Sequence, residues 1–216
     1  IYANCLIDGG AGNDTIKFAS QNANNTILGG AGSDYIEVSS QSSTVDGGAD
    51  DDIISVSGGS YNLINGGAGN DIINSSGDLN TISGGAGNDL LNGNGGSQIT
   101  YFYSVGDGND TITNFANNDR LYLDTSNSNT NNFIVKDSNF VLGKYSAALD
   151  GNDLLLYVDN GSLRVKNSAY QNSYGVQVFE PDGDLHLYAT ANGVGVWYVN
   201  NREGSTIQGL EGNDSI

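Results

Sequence analysis

The chain has 216 residues, 32 of them glycine and one proline, and a formal charge of −18 from 25 Asp plus Glu against seven Lys plus Arg. That balance makes nucleic acid and anionic membrane surfaces poor partners and divalent cations good ones, with no nucleic-acid binding and no membrane insertion expected of this segment. Cys5 is the single cysteine, which excludes an internal disulfide, and no apolar run is long enough to span a bilayer.

A nine-residue phrase recurs along the first half. It reads GGAGNDTIK at 9–17, GGAGSDYIE at 29–37, GGADDDIIS at 47–55, GGAGNDIIN at 66–74 and GGAGNDLLN at 84–92, with a weaker copy, VGDGNDTIT, at 105–113. The aspartates that close these loops, Asp14, Asp34, Asp52, Asp71, Asp89 and Asp110, lie 20, 18, 19, 18 and 21 residues apart. A fixed period of this kind predicts a solenoid with one coil per repeat. Glycine at such density is usual in flexible sequence, but here it recurs in register with Ile, Val and Leu, which predicts ordered turns.

Each coil carries two hydrophobic positions. Two places after the loop aspartate stand Ile16, Ile36, Ile54, Ile73, Leu91 and Ile112; two places before the first loop glycine stand Ile7, Ile27, Val45, Ile64 and Ile82. On short strands, where neighbouring side chains point to opposite faces, these series form two inward ladders of two facing parallel sheets. Phe18, Val38 and Val56 widen the first ladder whereas Ser75 and Gly93 do not, so the core is expected to thin toward residue 90.

The two turns of a coil differ in chemistry. One holds the glycine phrase; the other reads SQNANN (20–25), SSQSS (39–43), SGGSYN (57–62) or SSGDLN (75–80), with Asp78 its one acidic residue. All the repeated carboxylates therefore fall in one column on one edge, roughly 4.8 Å apart, with no Lys or Arg among them. A hard divalent cation is the expected counter-charge. Ca²⁺ accepts 6–8 oxygens including carbonyls, whereas Mg²⁺ demands stricter geometry. Glycine permits the left-handed dihedrals that turn carbonyls toward one point, and the loops lack the His and Cys that zinc or copper would favour.

The phrase GGxGxDxUx, with U a large aliphatic residue, resembles the nonapeptide of the repeats-in-toxin (RTX) family, the hemolysin-type calcium-binding repeat. The resemblance covers residues 1–115 and 205–216 and implies a parallel β-roll with Ca²⁺ between successive loops. Carried onto this chain, the side-chain ligands are Asp14, Asp34, Asp52, Asp71, Asp89 and Asp110. Loop carbonyls of Gly10, Gly12, Gly30, Gly32, Gly48, Gly67, Gly69, Gly85, Gly87, Gly106 and Gly108 complete the shells. Asp50 stands where the fourth-position glycine is expected and offers an extra carboxylate with Asp51; Asp214 opens a further loop in GLEGNDSI (209–216). The family's better-known members place loops on both edges, whereas this chain has them on one. Six loops leave five gaps, and about five ions would bring the charge from −18 to −8.

Residues 98–204 read differently. QITYFYS (98–104), RLYLD (120–124), NFIVKD (132–137), NFVLGKY (139–145), LLLYV (154–158), SLRVKN (162–167), VQVFE (176–180), LHLYA (185–189) and GVGVWYV (193–199) alternate like ordinary strands. Asp159-Asn160-Gly161 and Pro181-Asp182-Gly183-Asp184 are hairpin signals. The fold expected is all-β: a parallel β-roll over 1–115, an antiparallel β-rich, sandwich-like cap over 116–204 and the start of a second roll at 205–216. GDGNDTITNF and GNDLLLYVDNGSLRVKNSA resemble the segment that follows RTX arrays, and a cap would cover the open end of a roll.

Catalytic signals are sparse: HExxH and GxSxG are absent, and His186, the one histidine, alternates with Leu185 and Leu187 and is expected to face outward. Cys5 shares its offset before the loop with Asn25, Ser43, Asn62 and Asn80 and reads as structural. Trp197 and the tyrosines read first as packing and second as a surface for a glycan or protein ligand. The function expected is therefore a non-enzymatic, calcium-binding structural region of a large secreted or surface bacterial protein, adhesin- or toxin-like. What the resemblance implies is export by type I secretion and folding on Ca²⁺ outside, with neighbouring repeats of the parent protein as contacts. The competing reading is the C-terminal region of a secreted RTX protease or lipase. Both ends look cut from something longer: residues 1–8 supply half a coil and Ile216 stops just after a fresh loop.

Overall fold

The computed structural model describes residues 4–116, 118–124, 140–142, 145–150, 153–158, 160–166, 176–180, 183–190 and 193–199, with side chains through residue 124 and again at 150, 153–158 and 160–166. The regular elements among them are all β-strands. The first coil supplies β1 (Leu6–Ala11) and β2 (Thr15–Ala23), the second β3 (Thr26–Ala31) and β4 (Tyr35–Gln41), the third β5 (Thr44–Ala49) and β6 (Ile53–Val56). The fourth supplies β7 (Leu63–Ala68) and β8 (Ile72–Ser75), the fifth β9 (Thr81–Ala86) and β10 (Leu90–Asn92), the sixth β11 (Thr100–Ser104) and β12 (Asn109–Thr113). After them come β13 (Arg120–Asp124), β14 (Phe140–Leu142), β15 (Tyr145–Asp150), β16 (Asp153–Val158), β17 (Gly161–Val165), β18 (Val176–Glu180), β19 (Gly183–Thr190) and β20 (Gly193–Val199).

The strands form two ten-stranded sheets. One runs β1-β3-β5-β7-β9-β11-β13-β18-β19-β20, the other β14-β15-β16-β17-β12-β10-β8-β6-β4-β2. Coils of near-equal length stack in register, so like faces like: Ile27 opposes Val45, Ile36 opposes Ile54, and Gly30 opposes Gly48. Both expected ladders are inside. Ile27, Val45, Ile64 and Ile82 are fully buried against Ile36, Ile54, Ile73, Leu91 and Ile112, with Ile7 partly buried at the first coil.

The core does not thin past residue 90 as the small residues suggest. Tyr101 and Tyr103 of β11 are buried, and the Tyr101 hydroxyl lies where a Cβ on Gly93 would project. Gly93 is the space that the tyrosine of the next coil fills. Tyr103 reaches farther and donates its hydroxyl to the Gly108 carbonyl at 2.7 Å.

Parallel pairing extends beyond the glycine loops. β13 adds parallel to β11, β18 parallel to β13, and β17 parallel to β12. Only then does each sheet turn antiparallel, through β16–β17, β15–β16 and β14–β15 in one and β18–β19 and β19–β20 in the other. The strand pairs expected on either side of 159–161 and 181–184 are present as β16–β17 and β18–β19. The segments 132–137 and 205–216, and with them Asp214, lie outside the described residues, as do the side chains of His186 and Trp197.

On the edge opposite the glycine loops a polar ladder ties coil to coil. The Cys5 amide donates to Asn25 Oδ1 (3.2 Å), Ser43 to Asn62 Oδ1 (2.9 Å), Asn62 to Asn80 Oδ1 (2.8 Å) and Ile99 to Asp119 Oδ1 (2.8 Å). The small residues in the row with Cys5 are this ladder. Just before it in each coil sits a left-handed residue: Asn4, Asn24, Ser42, Tyr61, Leu79 and Gln98 have φ between 49° and 67°. Asn accepts that conformation readily, whereas Leu does so at a cost of roughly 1 kcal/mol. Leu79→Asn is therefore expected to stabilise the folded chain by about 0.5–1 kcal/mol, read as a raised urea midpoint at unchanged slope.

Candidate metal centre

The glycine phrases stack on one edge, as the sequence implies, and each loop uses its glycines differently. Gly10, Gly12, Gly30, Gly32, Gly48, Gly67, Gly69, Gly85, Gly87, Gly106 and Gly108 have φ between 93° and 154°, the left-handed range that an L side chain avoids. Their carbonyls lie against the equivalent residue of the following loop: Gly10 against Gly30, Gly30 against Gly48, Gly48 against Gly67, Gly67 against Gly85. The fourth position repeats this with Gly12 against Gly32, Gly69 against Gly87 and Gly87 against Gly108. Asp50 fits the series. It takes φ 73°, and its carbonyl lies against Gly69 just as a glycine's would.

The first glycine of each phrase was not among the expected ligands, yet it shapes the site most directly. Gly29, Gly47 and Gly66 have ordinary φ, but a Cβ there would overlap the loop aspartate's Oδ2 and the carbonyl of the next loop's first glycine: Asp34 with Gly47, Asp52 with Gly66, Asp71 with Gly84. Each first-glycine carbonyl thus turns back toward the preceding loop, while the second and fourth turn forward. The signal was available, since all five full copies begin Gly-Gly. Gly66→Ala is expected to cost about 1–3 kcal/mol through overpacking alone, checked by urea unfolding in calcium against the unsubstituted chain.

The six loop aspartates are drawn together as expected. From Asp34 onward, each Oδ1 accepts the backbone amide of the aspartate one loop earlier: Asp14 to Asp34 and Asp34 to Asp52 at 2.7 Å, Asp52 to Asp71 and Asp71 to Asp89 at 2.8 Å, Asp89 to Asp110 at 3.0 Å. Each Oδ2, from Asp14 to Asp110, is buried with no hydrogen-bond partner. Burial pushes the carboxyls of Asp52, Asp71 and Asp89 up to about 6 and that of Asp110 to about 8, and neighbouring carboxylates push the same way. The column stops there because Leu163, fully buried, holds the register position after Asp110.

The opposite edge supplies an internal control. Asparagine performs the same backbone-capping task there, but its second atom is a donor and finds an acceptor: Asn25 Nδ2 reaches the Asn22 carbonyl (2.9 Å), Asn62 Nδ2 that of Ser40 (3.1 Å) and Asn80 Nδ2 that of Gly77 (3.1 Å). With aspartate the second atom is one more acceptor, set beside carbonyls that are acceptors too. A buried anionic oxygen without a donor is costly, and a cation is what fits it. Among the described residues no three His, Cys, Asp or Glu side chains form a metal cluster, so a metal here draws mainly on the main chain, which suits a hard oxygen-seeking ion.

The sixth loop departs from the others. Val105 replaces the first glycine, a tight turn returns the Asp107 amide to the Ser104 carbonyl (3.1 Å), and Asp107 Oδ2 accepts the Ser104 amide at 2.6 Å. Gly87 and Gly108 still bridge in parallel.

A model of the RTX calcium-binding nonapeptide repeat matches the chain in four stretches, residues 6–23, 19–44, 28–63 and 65–97. No curated protein sequence matches it. Among solved structures, the extracellular lipase LipA from Serratia marcescens matches at 15% identity and a TM-score of 0.44 over 79% of this chain, which spans 38% of the lipase chain. Four repeat matches, laid along the stretch whose loops stack into one oxygen-lined edge, give the assignment: residues 6–97 carry RTX calcium-binding nonapeptide repeats.

Proposed function

We propose that this chain is a structural segment of a secreted or surface protein, adhesin- or toxin-like, whose roll orders only when calcium occupies the gaps between successive loops. The observation that carries this reading is the contrast between the two edges: identical capping geometry, with every amide satisfied on one side and every Oδ2 unpartnered on the other. The side-chain ligands are Asp14, Asp34, Asp52, Asp71, Asp89 and Asp110, with carbonyls of the first, second and fourth loop positions. Six loops give five gaps and so five ions. Residues 1–115 act as the calcium roll, 116–204 as its cap and 205–216 as the opening of another roll.

The physical case for coupling folding to calcium is that one coil of about 18–20 residues encloses few aliphatic side chains, while ordering its backbone costs roughly 1–2 kcal/mol per residue. A metal that binds the folded state alone shifts the balance by mass action. Export while unfolded, where calcium is scarce, then follows. The segment itself serves as scaffold and holds no catalytic role. The test is a calcium titration followed by far-ultraviolet circular dichroism, with magnesium as control. A cooperative gain of β-structure with calcium alone is expected; an unchanged β spectrum in EDTA sinks the proposal.

A further inference from the structure

We propose that the outer face of the first sheet holds a binding trough for a neutral oligosaccharide, lying across β5, β7, β9 and β11. Pairing in register sets Asp46, Asn65, Ser83, Phe102 and Tyr122 in one outward row. Ser83, the smallest of them, leaves a depression between Asn65 and Phe102. The depression is a trough of about 390 Å³, flanked by Leu63 and Thr81 of the adjoining row, within the size range of small-ligand sites.

Its two ends differ. At one end the Phe102 ring stacks on Tyr122, centroids 4.4 Å apart and planes 28° from parallel. That contact covers one ring face and steadies the other above Ser83. At the far end Asn65 Nδ2 donates to Asp46 Oδ1 at 3.0 Å, which fixes a carboxylate and an amide side by side. An apolar wall with a few placed polar groups is the composition of a small-ligand site.

Length and charge choose the ligand. Asp46 and Phe102 stand three strand spacings apart, roughly 14 Å, too far for one lysine side chain to engage both. A pyranose ring is about as wide as one spacing, roughly 4.8 Å, so two or three linked sugars span the trough. The sugar nearest β11 presents its axial C–H face to Phe102, and the sugar at the far end presents its equatorial hydroxyls to Asn65 and Asp46. The chain's charge of −18 disfavours acidic glycans. An added peptide strand has no edge to join, because β5, β7 and β9 each have partners on both sides.

The experiment uses the whole chain in calcium, with circular dichroism confirming the folded roll, so failure of the calcium reading is scored separately. Neutral tetrasaccharides of glucose, mannose and galactose are titrated by nuclear magnetic resonance, with oligolysine and an oligouronate as comparators. Saturable binding of at least one neutral sugar is expected. Phe102→Ala weakens it about five- to tenfold through the lost aromatic contact, and Ser83→Phe, which fills the depression, removes it; both variants keep the calcium-induced spectrum. Absence of saturable binding by any neutral sugar, binding that survives Ser83→Phe, or oligolysine displacing the sugars from the same site overturns the proposal.

Discussion

Replacing the column aspartates Asp34, Asp52, Asp71, Asp89 and Asp110 together by asparagine yields a roll that folds in EDTA and no longer responds to calcium. Each asparagine keeps the Oδ1 that accepts the preceding loop's amide, as Asn62 and Asn80 do on the other edge. It also replaces a buried, unpartnered Oδ2 by an N–H donor beside carbonyls such as those of Gly66 and Gly84. Removing an unsatisfied buried acceptor is worth about 1–3 kcal/mol per site, so five substitutions together are worth about 5–15 kcal/mol, as much as the stability of an ordinary domain. The measurement is circular dichroism and urea unfolding of the fivefold variant with and without calcium. A variant unfolded in both conditions means that the carboxylates serve the fold by something other than holding a cation.

In the absence of metal, the chain gains stability on acidification, the reverse of ordinary acid denaturation. Unfolded aspartate titrates near 3.9, whereas in the roll Asp52, Asp71 and Asp89 stand at about 6 and Asp110 at about 8. Between those values the folded chain binds more protons than the unfolded one, so stability falls as pH rises from about 4 to 8. Below about 4 both states are protonated and the penalty is absent. A proton there takes the place of the cation. Calcium binding accordingly releases protons, and its apparent affinity climbs with pH across the same window. Asp119, pushed to about 6 by burial on the opposite edge, leaves a smaller pH dependence that calcium does not remove. The check is circular dichroism in EDTA at pH 7.5, 6 and 4.5, where β-structure is expected to appear as the pH falls. β-structure that grows with rising pH contradicts the burial of these carboxylates.

Much of this was legible from repetition. Period, ladders, the single acidic edge and the left-handed glycines all follow from residues that recur, because a register shared by five copies leaves one way to stack them. What repetition did not carry was harder to see. The first glycines, Gly9, Gly29, Gly47, Gly66 and Gly84, look like flexible spacers until the carboxylate oxygen above them is placed. Tyr101 fills the space over Gly93 from one coil away, a contact that counting core residues within each coil misses. β13, β17 and β18 carry no loop phrase, so nothing local distinguishes a parallel continuation from a meander, whereas the Asn160-Gly161 hairpin declares itself by turn chemistry. Asp119 was overlooked because its neighbours break the repeat, although it takes up the ladder where Ile99 cannot.

The rungs between coils have a mechanical consequence. Successive coils are tied along one edge by aspartate caps and along the other by the polar ladder, which skips the step from Asn80 to Ile99, in addition to their strand pairing. Tension along the roll axis therefore loads these ties in series rather than sharing the force among them. The roll should yield one coil at a time, each releasing about 60–75 Å of extended chain, and so behave as a shock absorber that lengthens in coil-sized steps.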